Sequence, residues 1–233
     1  MILVGIDDTD MPGTPGTNKL AMQIAADLMD RFRCVRIVRH QLCADPAIPC
    51  TSQNGNAALH LEPRVEPDPP ALIERLRARM RSWYVPGSDP GLCIALTVPP
   101  QVTDFAKRAQ REIVTQAEAR HLAIECGMHL EGLGGTEGGV IGALAAVGLS
   151  QTGDDGRIVA MDIWPGDVTG IIEIERLHQL GVIVRSLDGS IEPSSGRVDL
   201  VKKLRPNFRG GKAVLFVQPA QSPIADWTAL KRN

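Results

Sequence analysis

Apolar residues near the amino terminus come in short runs whose period changes along the chain. Ile2 to Ile6 is a nearly continuous apolar run ending in polar residues, the mark of a buried strand. It leads into Asp7-Asp8-Thr9-Asp10 and a turn-rich loop, Met11-Pro12-Gly13-Thr14-Pro15-Gly16-Thr17. Leu20, Ala21, Ile24, Ala25, Leu28, Met29 and Phe32 then recur at helical spacing, which predicts a helix packed on that strand. Val35 to Val38 and Asn56 to Leu61 predict two further strands. Between them lies a loop of about fifteen residues, a length that in a compact domain usually marks a functional or disordered segment.

The Pro-rich acidic stretch from Pro63 to Pro70 is the clearest candidate boundary. After it the pattern predicts a basic helix over Ala71 to Trp83, a turn at Gly87-Ser88-Asp89-Pro90-Gly91, a strand over Leu92 to Val98 and helix from about Val102 to Gly127. That alternation predicts a small α/β insert. A glycine-rich segment, Glu131 to Gly139, opens into the small-residue helix Val140 to Val147. The remainder is strand-like, with turn signals at Gly153 to Gly156, Asp188-Gly189 and Gly210-Gly211. The whole reads as an α/β (α+β) protein of one domain or two intimate ones.

Composition narrows the classes. At 233 residues, 43% hydrophobic and 22% charged, the chain is an ordinary globular protein able to bury a sizeable core. A formal charge of -2 supplies no global excess of Lys and Arg for a phosphate backbone, and 3% aromatic residues leave few platforms for base stacking. Five cysteines without a CxxC pair indicate reduced thiols rather than a disulfide framework or zinc ribbon. No targeting segment or membrane-length apolar run is present, so a cytoplasmic protein is expected.

Asp7, Asp8 and Asp10 are the candidate chemistry. Asp is a poor strand former, and three carboxylates within four residues repel one another unless a cation lies between them. Magnesium bound through one or two carboxylates and substrate phosphates meets that need. A plainer reading is that one Asp caps the next helix and the others are solvated. Gly134, Gly135, Gly138, Gly139 and Gly142 lead into or begin a helix, where backbone N–H groups suit an anion, although tight turns and close packing also call for glycine. Arg39, His40, Asn54 and Asn56 place hydrogen-bonding groups on the long loop and its flanks, candidates for orienting a polar substrate. His60, His121, His129 and His178 lack metal-ligand spacing and read as structural or surface residues. A rival reading takes Asp8-Thr9-Asp10 as the start of a haloacid dehalogenase-type phosphatase motif, with Asp154, Asp155 and Asp162 as its later acidic part.

Four motifs in order bring a family into view. Gly5-Ile6-Asp7-Asp8-Thr9-Asp10 with Pro12, Val38-Arg39 with Ile48-Pro49 and Gly55-Asn56-Ala57, Asp89-Pro90-Gly91, and Gly139 to Gly148 resemble successive motifs of the archaeal isoleucine-tRNA 2-agmatinylcytidine synthetase (TiaS) family. The resemblance spans roughly residues 2 to 148. It implies a kinase-like catalytic domain, 1–62 plus 128–170, with a ferredoxin-like domain inserted at 63–127 and a strand-rich tail over 171–233 completing one or the other. It further implies ATP and magnesium at Asp7, Asp8 and Asp10, with a substrate oxygen activated by phosphorylation before an amine displaces the phosphate. One departure is local: the family's second loop threonine is Asn18 here, leaving Thr17 or Thr14 to accept a phosphoryl group. The resulting expectation is an ATP-dependent ligase or kinase-like enzyme for a small or nucleoside-like substrate. Its alternatives are tRNA wobble-cytidine modification with partner RNA-binding modules, and a nucleotide-binding regulator without turnover.

Overall fold

The computed structural model describes residues 1–48, 53–164 and 166–231. Pro49, Cys50, Thr51 and Ser52, part of the long loop singled out above, lie outside the described residues.

The first six elements are β1 (Ile2–Asp7), α1 (Thr17–Asp27), β2 (Phe32–Gln41), β3 (Gly55–Pro63), α2 (Pro69–Trp83) and β4 (Gly91–Ala95). Their strands lie in the order β4-β1-β3-β2, every neighbour antiparallel. This βαββαβ arrangement is the ferredoxin-like motif. The ferredoxin-like part therefore spans residues 2–95 and contains the Asp loop, rather than being an insert over 63–127. The Pro-rich stretch is the entry to α2, not a boundary: Asp68 caps the helix by accepting the Ala71 N–H at 3.1 Å, and two prolines fill its first turn. Local pattern could not reveal this, because β1 pairs with strands some fifty and ninety residues away in sequence.

Strand alternation gives the sheet two faces. Ile2, Val4 and Ile6 of β1 pack with Leu20, Ile24 and Leu28 around α1 and with Leu72, Leu76 and Met80 of α2. Leu3 faces the other way, toward α3 (Pro100–Ala109), α4 (Gln116–Glu125) and α5 (Val140–Gln151). The single helix expected over Val102 to Gly127 is thus two, because Thr115 and Glu118 form a reciprocal capping box that starts α4 afresh. The apolar helix α5 is buried nearly all round, between the sheet and α3. A Cβ on Gly5 would fall 2.0 Å from the Ala143 carbonyl oxygen, so glycine lets β1 and α5 touch backbone to backbone.

The sheet continues at both edges. β5 (His129–Gly132) joins β4, and β6 (Arg157–Met161) joins β2. Beyond β6 come β7 (Thr169–Glu173), α6 (Ile174–Gln179), β8 (Val182–Ser186), β9 (Arg197–Lys203), β10 (Asn207–Arg209), β11 (Lys212–Pro219) and β12 (Trp227–Ala229). These run β6-β10-β11-β12-β9-β7, with β8 parallel to β11, over a third core that includes Trp164, Leu177, Phe208 and Leu215. The architecture is α+β. Among the described residues no helix is long and apolar enough to cross a membrane.

Candidate active site

Where β1 ends, the backbone turns sharply. Asp8 has φ 50°, a left-handed conformation that Asp tolerates better than most residues. Asp7 stays on the α5 face, its Oδ2 only 1.8 Å from where a Cβ of Gly142 would stand. Asp10 folds back onto α1: its Oδ1 accepts the Thr17 N–H at 3.1 Å and the Thr17 hydroxyl at 3.0 Å, while Thr9 donates to the Thr17 oxygen at 3.1 Å. Asp10 thus satisfies one of the N–H groups that a helix start leaves open. The three carboxylates do not converge on one point. Among the described residues no group of three His, Cys, Asp or Glu side chains is arranged to hold a metal ion.

All three nevertheless line one cleft of about 410 Å³, within the range of small-molecule sites. Asp7, Asp8, Asp10, Thr17 and Asn18 form one wall, and Gly138, Gly139 and Gly142 bring the start of α5 to another. Arg39, Gln53, Asn54 and Gly55 come from the ends of β2 and β3 and the loop joining them. Leu42, Ile113, Val114 and Ile141 add apolar lining.

The electrostatics are lopsided. Burial, then the neighbouring Asp8, raises the Asp7 carboxyl from 3.8 to about 7. Burial, then Asp89, raises Asp8 to about 6. Arg39 is the one cationic side chain among the described lining residues, and burial lowers its own affinity for a proton, with Asp7 opposing that effect. Its Nη2 donates to Gln41 Oε1 at 3.2 Å and Gln53 Oε1 at 3.0 Å. Carboxylates this short of positive partners fit a cation held through one or two of them and a bound anion, and do not fit a closed protein cage.

Four residues expected at the site lie elsewhere. His40 follows Arg39 on β2, so its side chain projects to the opposite face, where it is fully buried with Nδ1 2.6 Å from Asp155 Oδ1. Asn56 is also buried; its Nδ2 donates to the Gly142 carbonyl at 2.9 Å, bracing α5 from beneath, and its Oδ1 has no partner. Gly134 packs under the Tyr84 ring. Gly135 lies against Asp89, and this changes the reading of the glycine-rich segment: the anion it holds is the protein's own, since the Asp89 carboxylate accepts the Thr136 N–H at 2.6 Å and the Thr136 hydroxyl. Asp89 and Thr136 line the cleft and were not singled out, and Gln53 of the long loop joins them. Only the Asp-Pro-Gly turn offered a signal for Asp89, because the residue reaches the cleft from the start of β4.

The phosphatase reading does not survive. β1 is antiparallel to both neighbours, Asp162 pairs with Arg33 at 3.1 Å, and Asp155 is committed to His40, so no later acidic motif meets the Asp loop.

No family model and no curated protein matches the chain. Solved structures do. The TiaS-tRNA(Ile2)-ATP complex matches with a TM-score of 0.56 and 24% identity over 63% of this chain and 36% of that one. A tRNA fluorescent labeling enzyme matches with a TM-score of 0.55 and 24% identity, and apo TiaS (tRNAIle2 agmatidine synthetase) with 0.53 and 23%, each over 63% of this chain and 35% of its own. The chain thus spans about a third of the length of these neighbours, and at such identity the likeness is one of fold. Over 63% of its length the chain is similar in fold to these TiaS structures, with the α+β architecture described above.

Proposed function

We propose that the cleft is the active site of an ATP- and magnesium-dependent phosphotransferase or ligase acting on a small or nucleoside-like substrate. The observation that carries this reading is the pair of half-buried carboxylates lining the cleft, Asp7 and Asp8, held above their ordinary protonation range with Arg39 in the same cleft, in a fold also found in an ATP complex of TiaS. Asp7 and Asp8 would hold the magnesium ion, with Asp10 at the rim. When bound, the ion supplies charge neutralisation at the phosphates.

The chain's own groups do the rest. Arg39 offers planar N–H donors to phosphate oxygens. The first turn of α5, free of side chains at Gly139 and Gly142, would let the same anion approach the positive end of the helix, although the Gly139, Val140 and Ile141 N–H groups already donate to backbone carbonyls. Thr17 is the candidate phosphoryl acceptor: its hydroxyl already donates to Asp10, which would take the proton as the oxygen attacks phosphorus and ADP leaves. Thr14 is spent elsewhere, closing the loop on the Met11 backbone at 2.8 Å. The apolar lining from Leu42, Ile113, Val114 and Ile141 would suit a ring or base.

The second reading is tRNA wobble-cytidine modification, favoured by the neighbour solved with both tRNA(Ile2) and ATP. Incubation with ATP and magnesium, followed by assays for ADP, AMP and pyrophosphate and by mass spectrometry of the Thr17 peptide, tests the enzyme reading. Tight nucleotide binding without any product would replace it with a regulator. A gel shift with isoleucine tRNA at low salt separates the two substrates, since no shift rules out the second.

A further inference from the structure

We infer that His40, Asp155 and Gln110 are positioning residues for Arg39, links in a hydrogen-bonded chain that begins at the buried Ser150 hydroxyl and ends on the guanidinium in the cleft. The chain can be followed atom by atom. Ser150 Oγ, at the carboxyl-terminal end of α5, lies 2.9 Å from His40 Nε2 and 3.1 Å from His60 Nε2. His40 Nδ1 lies 2.6 Å from Asp155 Oδ1. The other carboxylate oxygen, Oδ2, accepts from Gln110 Nε2 at 3.0 Å, and the same amide donates to the Gln41 backbone carbonyl at 3.1 Å. The Gln41 side chain is then fixed by donating to the Asn54 carbonyl at 2.7 Å, which leaves its Oε1 facing Arg39 Nη2 at 3.2 Å.

The donors and acceptors admit one consistent set of protons for a neutral His40. A carboxylate only accepts, so His40 carries its proton on Nδ1 and offers Nε2 as an acceptor. The Ser150 O–H donates to that nitrogen, and the Ser150 oxygen accepts from His60 Nε2–H. His60 stays neutral chiefly because burial, then the Arg36 guanidinium, push it down to about 3. His40, His60 and Ser150 are all buried, so the cluster offers no surface to a substrate; it reaches toward the cleft through Asp155 and Gln110. What it can do is fix the end of β2. A guanidinium ordered before binding gives up less freedom on meeting an anion.

For the consequence on binding, the inference rests on the nucleotide reading of the cleft; the positioning itself does not. Two variants test both parts: Gln110→Ala removes the bridging amide, and Asp155→Asn sets donor against donor at one of its two contacts. Neither residue lines the cleft, and thermal melting checks that each variant is folded. Nitrogen-15 NMR of the Arg39 guanidinium should show resolved, slowly rotating Nη groups in the wild type and averaged ones in both variants. ATP–magnesium affinity should fall about 3- to 10-fold in Gln110→Ala and show no further fall when Arg39 is already Ala, the non-additivity of a shared pathway. An unchanged Arg39 signal in a folded variant, or losses that multiply with Arg39→Ala, would overturn the inference. Absence of nucleotide binding by the wild type would defeat the proposed function, while the guanidinium signal still decides the positioning.

Discussion

Replacing Asp7 by Asn should stabilise the protein, and by an amount that depends on pH. In the fold the Asp7 carboxyl keeps its proton up to about 7, against 3.8 in an unfolded chain, chiefly because it is buried. A group that binds its proton more tightly when folded favours the folded state at low pH, and that contribution is lost as pH rises from 3.8 to 7. At about 1.4 kcal/mol per tenfold change in proton affinity, the ionised carboxylate costs the fold up to about 4 kcal/mol. Water penetration and relaxation around the ion bring the effect to about 2–4 kcal/mol. Asn resembles the protonated acid at every pH. Urea unfolding of both proteins should therefore give equal stability near pH 4 and a gap of that size, in favour of Asn, by pH 8. Saturating magnesium with ATP should narrow the gap by stabilising only the wild type. A difference independent of pH, or a less stable Asn variant at pH 8, would mean that the folded state does not penalise the Asp7 carboxylate.

Two further outcomes follow from the same geometry. Gly142→Ala should gain about 1 kcal/mol from helix propensity in open surroundings, but a Cβ 1.8 Å from Asp7 Oδ2 forces that carboxylate aside; turnover should fall on the order of 10²-fold in a protein that still melts cooperatively. Asp89→Asn keeps an acceptor for the Thr136 N–H and removes a charge, so the Asp8 midpoint, now about 6, should drop toward the ordinary carboxylate range in a carbon-13 NMR titration. An unmoved Asp8 midpoint would show that Asp89 does not act on it.

Much of the site was legible because it depends on local chemistry. The apolar run into Asp7, the helical spacing from Leu20 to Leu28 and the small-residue helix from Val140 are each set by neighbours within a few positions, and they bring Asp7, Asp8, Asp10, Thr17, Gly138, Gly139 and Gly142 to one cleft. Strand order was not legible, since β1 recruits β3 and β4 from far along the chain, and so the ferredoxin-like part was looked for at 63–127 instead of 2–95. Alternation explains the mistake over His40: once Arg39 faces the cleft, the next residue on the same strand faces away. The glycine-rich segment shows a subtler failure. Its composition suggests an anion cradle for a phosphate, but nothing local says that Asp89, more than forty residues earlier, puts its own carboxylate there.

The central claim, that Asp7 and Asp8 make a magnesium-dependent nucleotide site, is tested most directly by isothermal titration of ATP with and without magnesium. Wild type, Asp7→Asn and Asp8→Asn would be compared. The expected result is saturable one-site binding by the wild type that requires magnesium and is lost in both variants. Binding that is absent in the wild type, indifferent to magnesium or unchanged in the variants would contradict it.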